Sequence, residues 1–551
     1  MKIALAQLNY HIGNFESNTD KIISAIENAE IQNVDLIVFS ELSVCGYSPI
    51  DLLEQHDFIL KCEHALQKIA SKCINTAAIV GAPVINPSAK GKKLFNAACL
   101  LANGKIAEKR YKSLLPTYDI FDEYRYFEPN DTYNIIEYKG EKIALTICED
   151  LWDKQPSAYE NAKGELYKKS PMDELIKQNP DYIINIAASP FSYNQGEIRT
   201  KVLIDNAKKY KLPVLYVNQV GANTELIFDG DSMIINSKGA ITNRLSTFTE
   251  DFKIVDTKEL SESKITKQPK IKTEYIAQIH DALILGIQDY FTKMNFKTAT
   301  LGLSGGIDSA VVVALATKAL GNNNVRVLLM PSKYSSTHSI KDAEELAKNL
   351  RIQYEVMPIQ TIIDTFEKSL SVIFKNMQTG VTEENIQARA RGVLMMALSN
   401  KFGNILLNTS NKSEAAVGYS TLYGDMNGGL SILGDVYKTD VFKLARFINK
   451  DKEIIPENTI TKPPSAELRP DQKDSDSLPE YELLDAILFQ YIEQKLSASE
   501  IIAQGFDEAV VNKVLRLVNM NEYKRFQTPP ILRVSSKAFG FGRRMPLVAR
   551  Y

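Results

Sequence analysis

One hexapeptide restricts this chain more than any other: Ser304-Gly305-Gly306-Ile307-Asp308-Ser309, set where an apolar strand candidate at 298–303 hands over to a helix candidate at 308–320. Adjacent glycines carry no Cβ, so the backbone there can approach phosphate oxygens closely. Amides at the helix start would face the anion with the helix dipole behind them, and the two serines add hydroxyl donors. Asp308 is placed to hold a magnesium ion bridging phosphates. No Gly-Lys-Ser/Thr ending follows, which argues against γ-phosphate transfer of the P-loop kind. Glycine, serine and aspartate alone also make an ordinary helix cap; the whole string between strand and helix is the more specific signal.

The alternation continues through the second half. Strand signals at 325–330, 354–358 and 404–408 are interleaved with helix signals at 308–320, 339–350 and 385–400. That order predicts a parallel, Rossmann-like sheet with ligands beyond the carboxyl ends of its strands. The first half also mixes elements. Strands are predicted at 2–8, 34–39, 77–81, 97–101, 142–147, 182–187 and 213–218, helices at 18–31 and 197–211, and hairpin-type pairing at 232–235 between Asp229-Gly230 and Lys238-Gly239. The pattern lapses after residue 256 into Ser, Lys, Thr and one Pro. We therefore expect one α/β domain over 1–256, a linker over 257–273 and a second over 274–551.

A chain of 551 residues is too long for one core, in keeping with that division. Its 65 basic and 67 acidic side chains nearly cancel, which disfavours bulk nucleic-acid binding. No apolar run is long enough to span a bilayer, and residues 1–9 read as a first strand rather than a signal peptide. Five irregularly spaced cysteines suggest neither a disulfide framework nor a metal cluster. A cytoplasmic protein without membrane or nucleic-acid partners is expected.

Three residues of the first half stand where apolar strands end. Glu41 follows the strand at 34–39, Lys112 follows a strand pair, and Cys148 follows the strand at 142–147. A glutamate and a lysine in such places need partners. Buried cysteines are usually inert small hydrophobes, the expectation kept for the other four, with Cys45 the nearest competitor. The three chemistries fit together: Glu41 takes the thiol proton as Cys148 attacks a carboxamide, and Lys112 offsets charge on the tetrahedral oxygen, giving a thioester and ammonia. His11, His56, His64, His280 and His338 lie in no comparable setting for a cysteine–histidine pair.

These residues resemble the Glu-Lys-Cys triad of the nitrilase superfamily. The stretch Tyr118-Asp119-Ile120-Phe121-Asp122-Glu123-Tyr124-Arg125-Tyr126-Phe127 is similar to the one that follows the lysine in glutaminase domains of NAD synthetases. The resemblance implies a nitrilase-like αββα sandwich, Glu123 as an auxiliary carboxylate, and Tyr118, Glu149, Ser189 and Arg199 as glutamine-binding residues. In the second half, the loop at 304–309 resembles the pyrophosphate loop of the ATP pyrophosphatases. The strings Asn385-Ile386-Gln387-Ala388-Arg389-Ala390-Arg391, Asn408-Thr409-Ser410-Asn411-Lys412-Ser413-Glu414, Tyr423-Gly424-Asp425, Val436-Tyr437-Lys438-Thr439 and Pro464-Ser465-Ala466-Glu467-Leu468 look like those of NAD synthetases.

By that resemblance Ser304, Gly305, Gly306, Asp308, Ser309 and Thr409 contact ATP, and Asp308 and Glu414 hold Mg2+. Arg389, Asp425, Lys438 and Ser465 meet deamido-NAD. Taken singly, Arg389 and Arg391 are helix arginines of the solvated kind. Joined in one chain, the halves resemble the glutamine-dependent NAD synthetases, which implies glutamine, ATP and deamido-NAD as substrates and a homo-oligomer of at least two copies. Ammonia is protonated in water, so a protected passage between domains is expected to carry it. The same chemistry on another carboxylate acceptor is disfavoured by the strings at 408–425 and 464–468. A binding protein built on a disabled amidotransferase would have no physical need for Glu41, Lys112, Cys148, Asp308 and Glu414 together.

Overall fold

The computed structural model describes residues 1–154, 166–260, 274–470 and 472–549. The backbone gathers into two compact units, Met1–Lys272 and Thr273–Tyr551. Of the linker expected over 257–273, residues 261–273 lie outside the described residues, and Thr257–Glu259 form a single 3-10 turn.

Among the described residues the first unit is built on two six-stranded sheets. One runs Asp251–Asp256, Lys2–Gln7, Leu36–Val38, Ala77–Ile85, Leu94–Ala102, Lys105–Tyr111. The other runs Ile241–Arg244, Met233–Ile235, Val214–Asn218, Tyr182–Ala187, Glu141–Ile147, Ile136–Tyr138. Strand Lys2–Gln7 shows how the layers arise, because successive side chains point to opposite faces. Ile3 and Leu5 enter a core shared with Ile143, Leu145, Ile183 and Ile184 of the second sheet. Ala4 and Ala6 enter another, formed with Ile22 and Ile26 of helix Phe15–Ile31 and with Ile59 of helix His56–Ala70. Helix Gln195–Tyr210 packs on strands Val214–Asn218 and Met233–Ile235, which completes the αββα order. Lys238-Gly239 turns a hairpin with Met233 opposite Arg244, but Asp229 is the last residue, paired with Val220, of a separate ribbon of Val220–Asn223 with Leu226–Asp229.

The segment carrying Glu41 lies tight against strand Ala77–Ile85. A Cβ on Gly81 would stand 2.4 Å from the Leu42 amide nitrogen and 2.5 Å from the Ser40 carbonyl oxygen. The missing side chain makes that approach possible, and the Val44 amide donates to Gly81 O at 3.2 Å.

In the second unit a five-stranded, wholly parallel sheet has the order Gln353–Val356, Val325–Leu329, Ala299–Gly302, Ile405–Asn408, Leu430–Ser431. In chain order this is 3-2-1-4-5, so the direction of winding reverses between Ala299–Gly302 and Ile405–Asn408. A crevice opens beyond the carboxyl ends of strands at such a switch. Helices Ile307–Leu320, Thr337–Leu350 and Val381–Phe402 each start earlier than the apolar pattern indicates. The last two begin in polar turns that carry no apolar period, with Ser336 Oγ accepting the Ser339 amide at 3.1 Å as an N-cap. Helices Tyr481–Ile492 and Glu508–Met520 close the unit around a core of their own. No helix among the described residues is long and apolar enough to cross a membrane.

Gly81→Ala is expected to lower the stability of the first unit by about 1–3 kcal/mol, because the added methyl has backbone atoms in its place. Gly196→Ala, on helix Gln195–Tyr210 with nothing within 4 Å of its added methyl, is expected to be neutral or stabilising. Urea unfolding of both variants measures the difference.

Candidate functional site

Glu41 follows strand Leu36–Val38 and Lys112 follows strand Lys105–Tyr111, and both side chains are almost wholly removed from water. Lys112 Nζ donates to Glu41 Oε1 at 2.7 Å and to Glu123 Oε1 at 2.8 Å. Asn96 Nδ2 donates to Glu41 Oε1 at 2.7 Å and to Glu123 Oε2 at 3.4 Å. The Ala188 amide donates to Glu41 Oε2 at 3.0 Å, and the Tyr47 hydroxyl to Glu123 Oε1 at 2.8 Å. Burial alone would lower the Lys112 ammonium, yet Glu123 and Glu41 hold it well above the ordinary lysine value. Burial pushes the Glu123 carboxyl up, against the pull of Lys112.

Cys148 ends strand Glu141–Ile147 and opens the short 3-10 turn Cys148–Leu151 with a φ of 42°. That left-handed conformation is uncommon for a residue with a Cβ and marks a constrained turn. The residue is 7% exposed. Burial pushes its thiol well above the ordinary range, Glu41 raises it further, and Lys112 opposes both. These influences together favour the protonated thiol. Two residues on, Asp150 Oδ1 accepts the amides of Ser113 and Leu114, both at 2.9 Å, and Oδ2 accepts the Ile147 amide at 3.1 Å. Burial lifts the Asp150 carboxyl to about 6 although those amides pull it down.

Around this turn, Glu149 accepts from the hydroxyls of Tyr118 at 2.8 Å and Tyr167 at 2.9 Å, and burial raises its carboxyl to about 7. Ser189 is buried just past strand Tyr182–Ala187, its amide donating to Asn218 Oδ1 at 2.8 Å. Arg199 lies in an internal ion pair: it is fully buried and donates to Asp229 Oδ1 and Oδ2 at 3.0 and 2.6 Å and to Asp231 Oδ2 at 2.9 Å. The guanidinium joins helix Gln195–Tyr210 to the end of strand Leu226–Asp229.

In the second unit the glycine loop follows strand Ala299–Gly302. Gly305 has a φ of +81°, and a Cβ there would stand 2.2 Å from Ser339 O. Ser304 Oγ accepts the Gly306 amide at 3.1 Å, and Ser309 Oγ donates to Gly306 O at 3.1 Å. Beyond the strand ends lies a cavity of about 280 Å³ whose lining includes Ser304, Met330, Arg391, Thr409, Asp425 and Glu467. Arg391, a helix-surface arginine by sequence, thus faces this cavity, with its Nε donating to Met330 O at 3.2 Å. Arg389 is exposed, donates to Leu422 O at 3.2 Å and is not part of the lining. Ser465 also stands outside the lining, which takes Ala466, Glu467 and Leu468 instead. Glu467 fastens that segment to helix Thr337–Leu350 by accepting from Ser336 Oγ at 2.8 Å and Ser339 Oγ at 2.7 Å.

Asp308 and Glu414 share the ammonium of Lys438, which is 2.5 Å from Asp308 Oδ2 and 3.3 Å from Glu414 Oε1. Asn411 donates to Asp308 Oδ1 at 2.9 Å while its own Oδ1 caps the Glu414 amide at 2.9 Å. Asp485 accepts Ser413 Oγ at 2.5 Å and the Thr439 amide at 2.9 Å, so the neighbours of Glu414 and Lys438 rest on one carboxylate. Burial pushes the Glu414 carboxyl up, with Lys438 opposing. Two carboxylates already facing a positive charge form a donor set that suits magnesium, which keeps water and substrate oxygens in its shell. Among the described residues no set of three or more His, Cys, Asp or Glu converges as an all-protein metal cage.

Residues 2–265 match the carbon-nitrogen hydrolase family model, and residues 279–528 the NAD synthase family model. The chain is 46% identical to the glutamine-dependent NAD(+) synthetase of Synechocystis sp., covering 100% of this chain and 99% of the relative. It is 42% identical to the protein of the same name from Acinetobacter baylyi, over 99% of this chain and 98% of that one. The solved structure of glutamine-dependent NAD+ synthetase from Acinetobacter baumannii in complex with adenosine diphosphate matches with a TM-score of 0.78 at 39% identity, covering 99% and 98% of the two chains.

Loss of the Lys112 charge would leave two carboxylates buried without a cation. Lys112→Met is expected to cost about 3–5 kcal/mol in urea unfolding. Lys177→Met, at an exposed pair with Glu174, is expected to cost under ~1 kcal/mol. An unchanged midpoint for Lys112→Met would refute the buried pairing.

Proposed function

We propose, from the premise that the chain belongs to the glutamine-dependent NAD(+) synthetases, that its two sites run the two halves of one amidation. The observation that carries this is the buried Lys112 ammonium between Glu41 and Glu123, within electrostatic reach of a protonated Cys148 thiol. Cys148 attacks the side-chain carboxamide of glutamine while Glu41 takes the thiol proton. Lys112 stabilises the negative tetrahedral oxygen. The C–N bond then breaks, Glu41 returns the proton to the leaving nitrogen, and ammonia departs from a γ-glutamyl thioester. Water, deprotonated by Glu41, attacks the thioester; the C–S bond breaks, releasing glutamate and restoring the thiol. Glu149, with Tyr118 and Ser189, receives the substrate's amino-acid end, and Arg199 supports that wall from its ion pair.

In the second unit the carboxylate of deamido-NAD attacks the α-phosphorus of ATP, and pyrophosphate leaves. Ammonia then displaces AMP from the adenylate to give NAD. Ser304, Gly305, Gly306, Ser309 and Thr409 hold the nucleotide, with Arg391 and Asp425 on the cavity wall. Asp308 and Glu414 would hold Mg2+, which when bound offsets the repulsion between ATP and the acid substrate. Lys438 adds its charge at the same place, and Arg389 and Ser465 serve as outer contacts to deamido-NAD. The chain works in the cytoplasm as an oligomer of at least two copies.

With deamido-NAD, ATP and magnesium supplied, Cys148→Ala is expected to lose NAD formation from glutamine and keep it from ammonium, while Asp308→Asn loses both. Glutamine use that survives in Cys148→Ala would remove Cys148 from the role. The Glu149 carboxyl sits at about 7, so its charge is lost as the pH falls through that value. KM for glutamine is therefore expected to rise below about pH 7 and to level off above it. Glu149→Gln should raise KM and flatten that dependence in a glutaminase assay over the same range.

A further inference from the structure

We propose that Asp150 is a positioning residue for glutamine hydrolysis, its carboxylate setting Cys148 against Lys112. The inference deepens, and rests on, the reading of Cys148 as the nucleophile. Three backbone amides converge on this one side chain: Ser113 and Leu114 on Oδ1, both at 2.9 Å, and Ile147 on Oδ2 at 3.1 Å. Ser113 is the residue after Lys112, and Ile147 the residue before Cys148. The carboxylate is buried and makes these contacts from the turn that Cys148 opens.

The connection matters because Lys112 and Cys148 come from different layers. Lys112 leaves strand Lys105–Tyr111 of one sheet, and its amide donates to Asn96 O in that same sheet at 2.9 Å. Cys148 leaves strand Glu141–Ile147 of the other. Layers that meet through apolar side chains are held by area and shape, which tolerate small slides far better than hydrogen bonds do. Glu41 is tied across the layers by the Ala188 amide, which follows strand Tyr182–Ala187 of the second sheet. Asp150 does the same for the segment carrying Lys112.

The chemistry of the side chain fits the task. An ionised carboxylate only accepts, and all three partners only donate. An asparagine would turn an NH2 group toward at least one amide donor whichever way its amide faced. The hydrogen bonds of Asp150 go to backbone amides and those of the Lys112 ammonium to Glu41 and Glu123, so beyond a charge attraction to Lys112 the carboxylate acts through the backbone.

The test uses the full chain with Asp150→Asn and Asp150→Glu, the second keeping both acceptors and the charge on a longer stem. A shift on the order of an ångström at a reacting group costs roughly 100-fold in rate. Asp150→Asn is therefore expected to lower kcat with glutamine by roughly that factor with KM within about 3-fold, and Asp150→Glu to lose less. In Asp150→Glu, which keeps the carboxylate charge, the pH midpoint for alkylation of Cys148 by iodoacetamide is expected to rise, because Lys112 is displaced from where it favours the thiolate. Ammonium-dependent NAD formation by the same preparations should match wild type.

A kcat within about 3-fold of wild type, an unmoved alkylation midpoint, or an equal loss of the ammonium reaction in both variants overturns the proposal. Should Asp150→Asn not fold, Asp150→Glu decides on the same criteria. Cys148→Ala, run in parallel, separates the two readings. Surviving glutamine use there sinks the nucleophile assignment itself, whereas its loss beside an unaffected Asp150→Asn sinks only the positioning role.

Discussion

Lys112 carries one positive charge into a place where Glu41 and Glu123 have lost nearly all contact with water. Burying either carboxylate without the ammonium, or the ammonium without them, would cost several kcal/mol per ion. Asn96, Tyr47 and the Ala188 amide supply the other donors, which closes the shell around all four carboxylate oxygens and leaves only Asn96 Oδ1 of these groups without a hydrogen bond. That closure decides where the strand ends of the first unit can lie. It also accounts for the bare Cα at Gly81, since the 40–42 segment has to pass against that strand for Glu41 to reach the lysine. Cys148 adds no charge to the cluster at rest: burial and Glu41 keep its proton on. Activation by a neighbouring base follows from this arrangement, whereas a standing thiolate does not.

The second unit handles a different electrostatic problem, because its substrates are themselves anions. Its carboxylates, Asp308 and Glu414, are less enclosed than Glu41 and Glu123, and they share Lys438; the cavity of about 280 Å³ takes Ser304 and Thr409 into its lining but none of these three. A common device appears in both units. Asp150 gathers backbone next to Lys112 and Cys148, and Asp485 gathers the Ser413 hydroxyl and Thr439 amide next to Glu414 and Lys438. In each case one aspartate ties together the segments that carry the proposed reacting groups, the kind of support a site needs to hold its geometry.

What could be read from the sequence follows the range of the forces involved. Apolar periodicity marked the strands that end at Glu41, Cys148 and the glycine loop, because burial acts on every residue of a strand at once. The winding of the second sheet was readable for the same reason. Helix starts at Thr337 and Val381 were not, since polar first turns carry no apolar signal. Arg199 illustrates a deeper limit: its partners Asp229 and Asp231 lie 30 and 32 residues away and no local pattern connects them. Arg391 looked like any helix arginine until the fold put a cavity beside it. Asp150 stood in plain view two residues past Cys148, but its three amide partners come from two separate strand ends, and only the fold brings them together.

The proposed reaction turns on one species, a γ-glutamyl thioester on Cys148. Wild-type protein mixed with glutamine, acid-quenched within its first turnovers and digested, is expected to yield the Cys148 peptide bearing one γ-glutamyl group by mass spectrometry. The same treatment of Glu41→Gln should yield the peptide unmodified. Glutamine turnover without any adduct on Cys148, or an adduct on Cys45 in its place, would contradict the assignment of nucleophile and base.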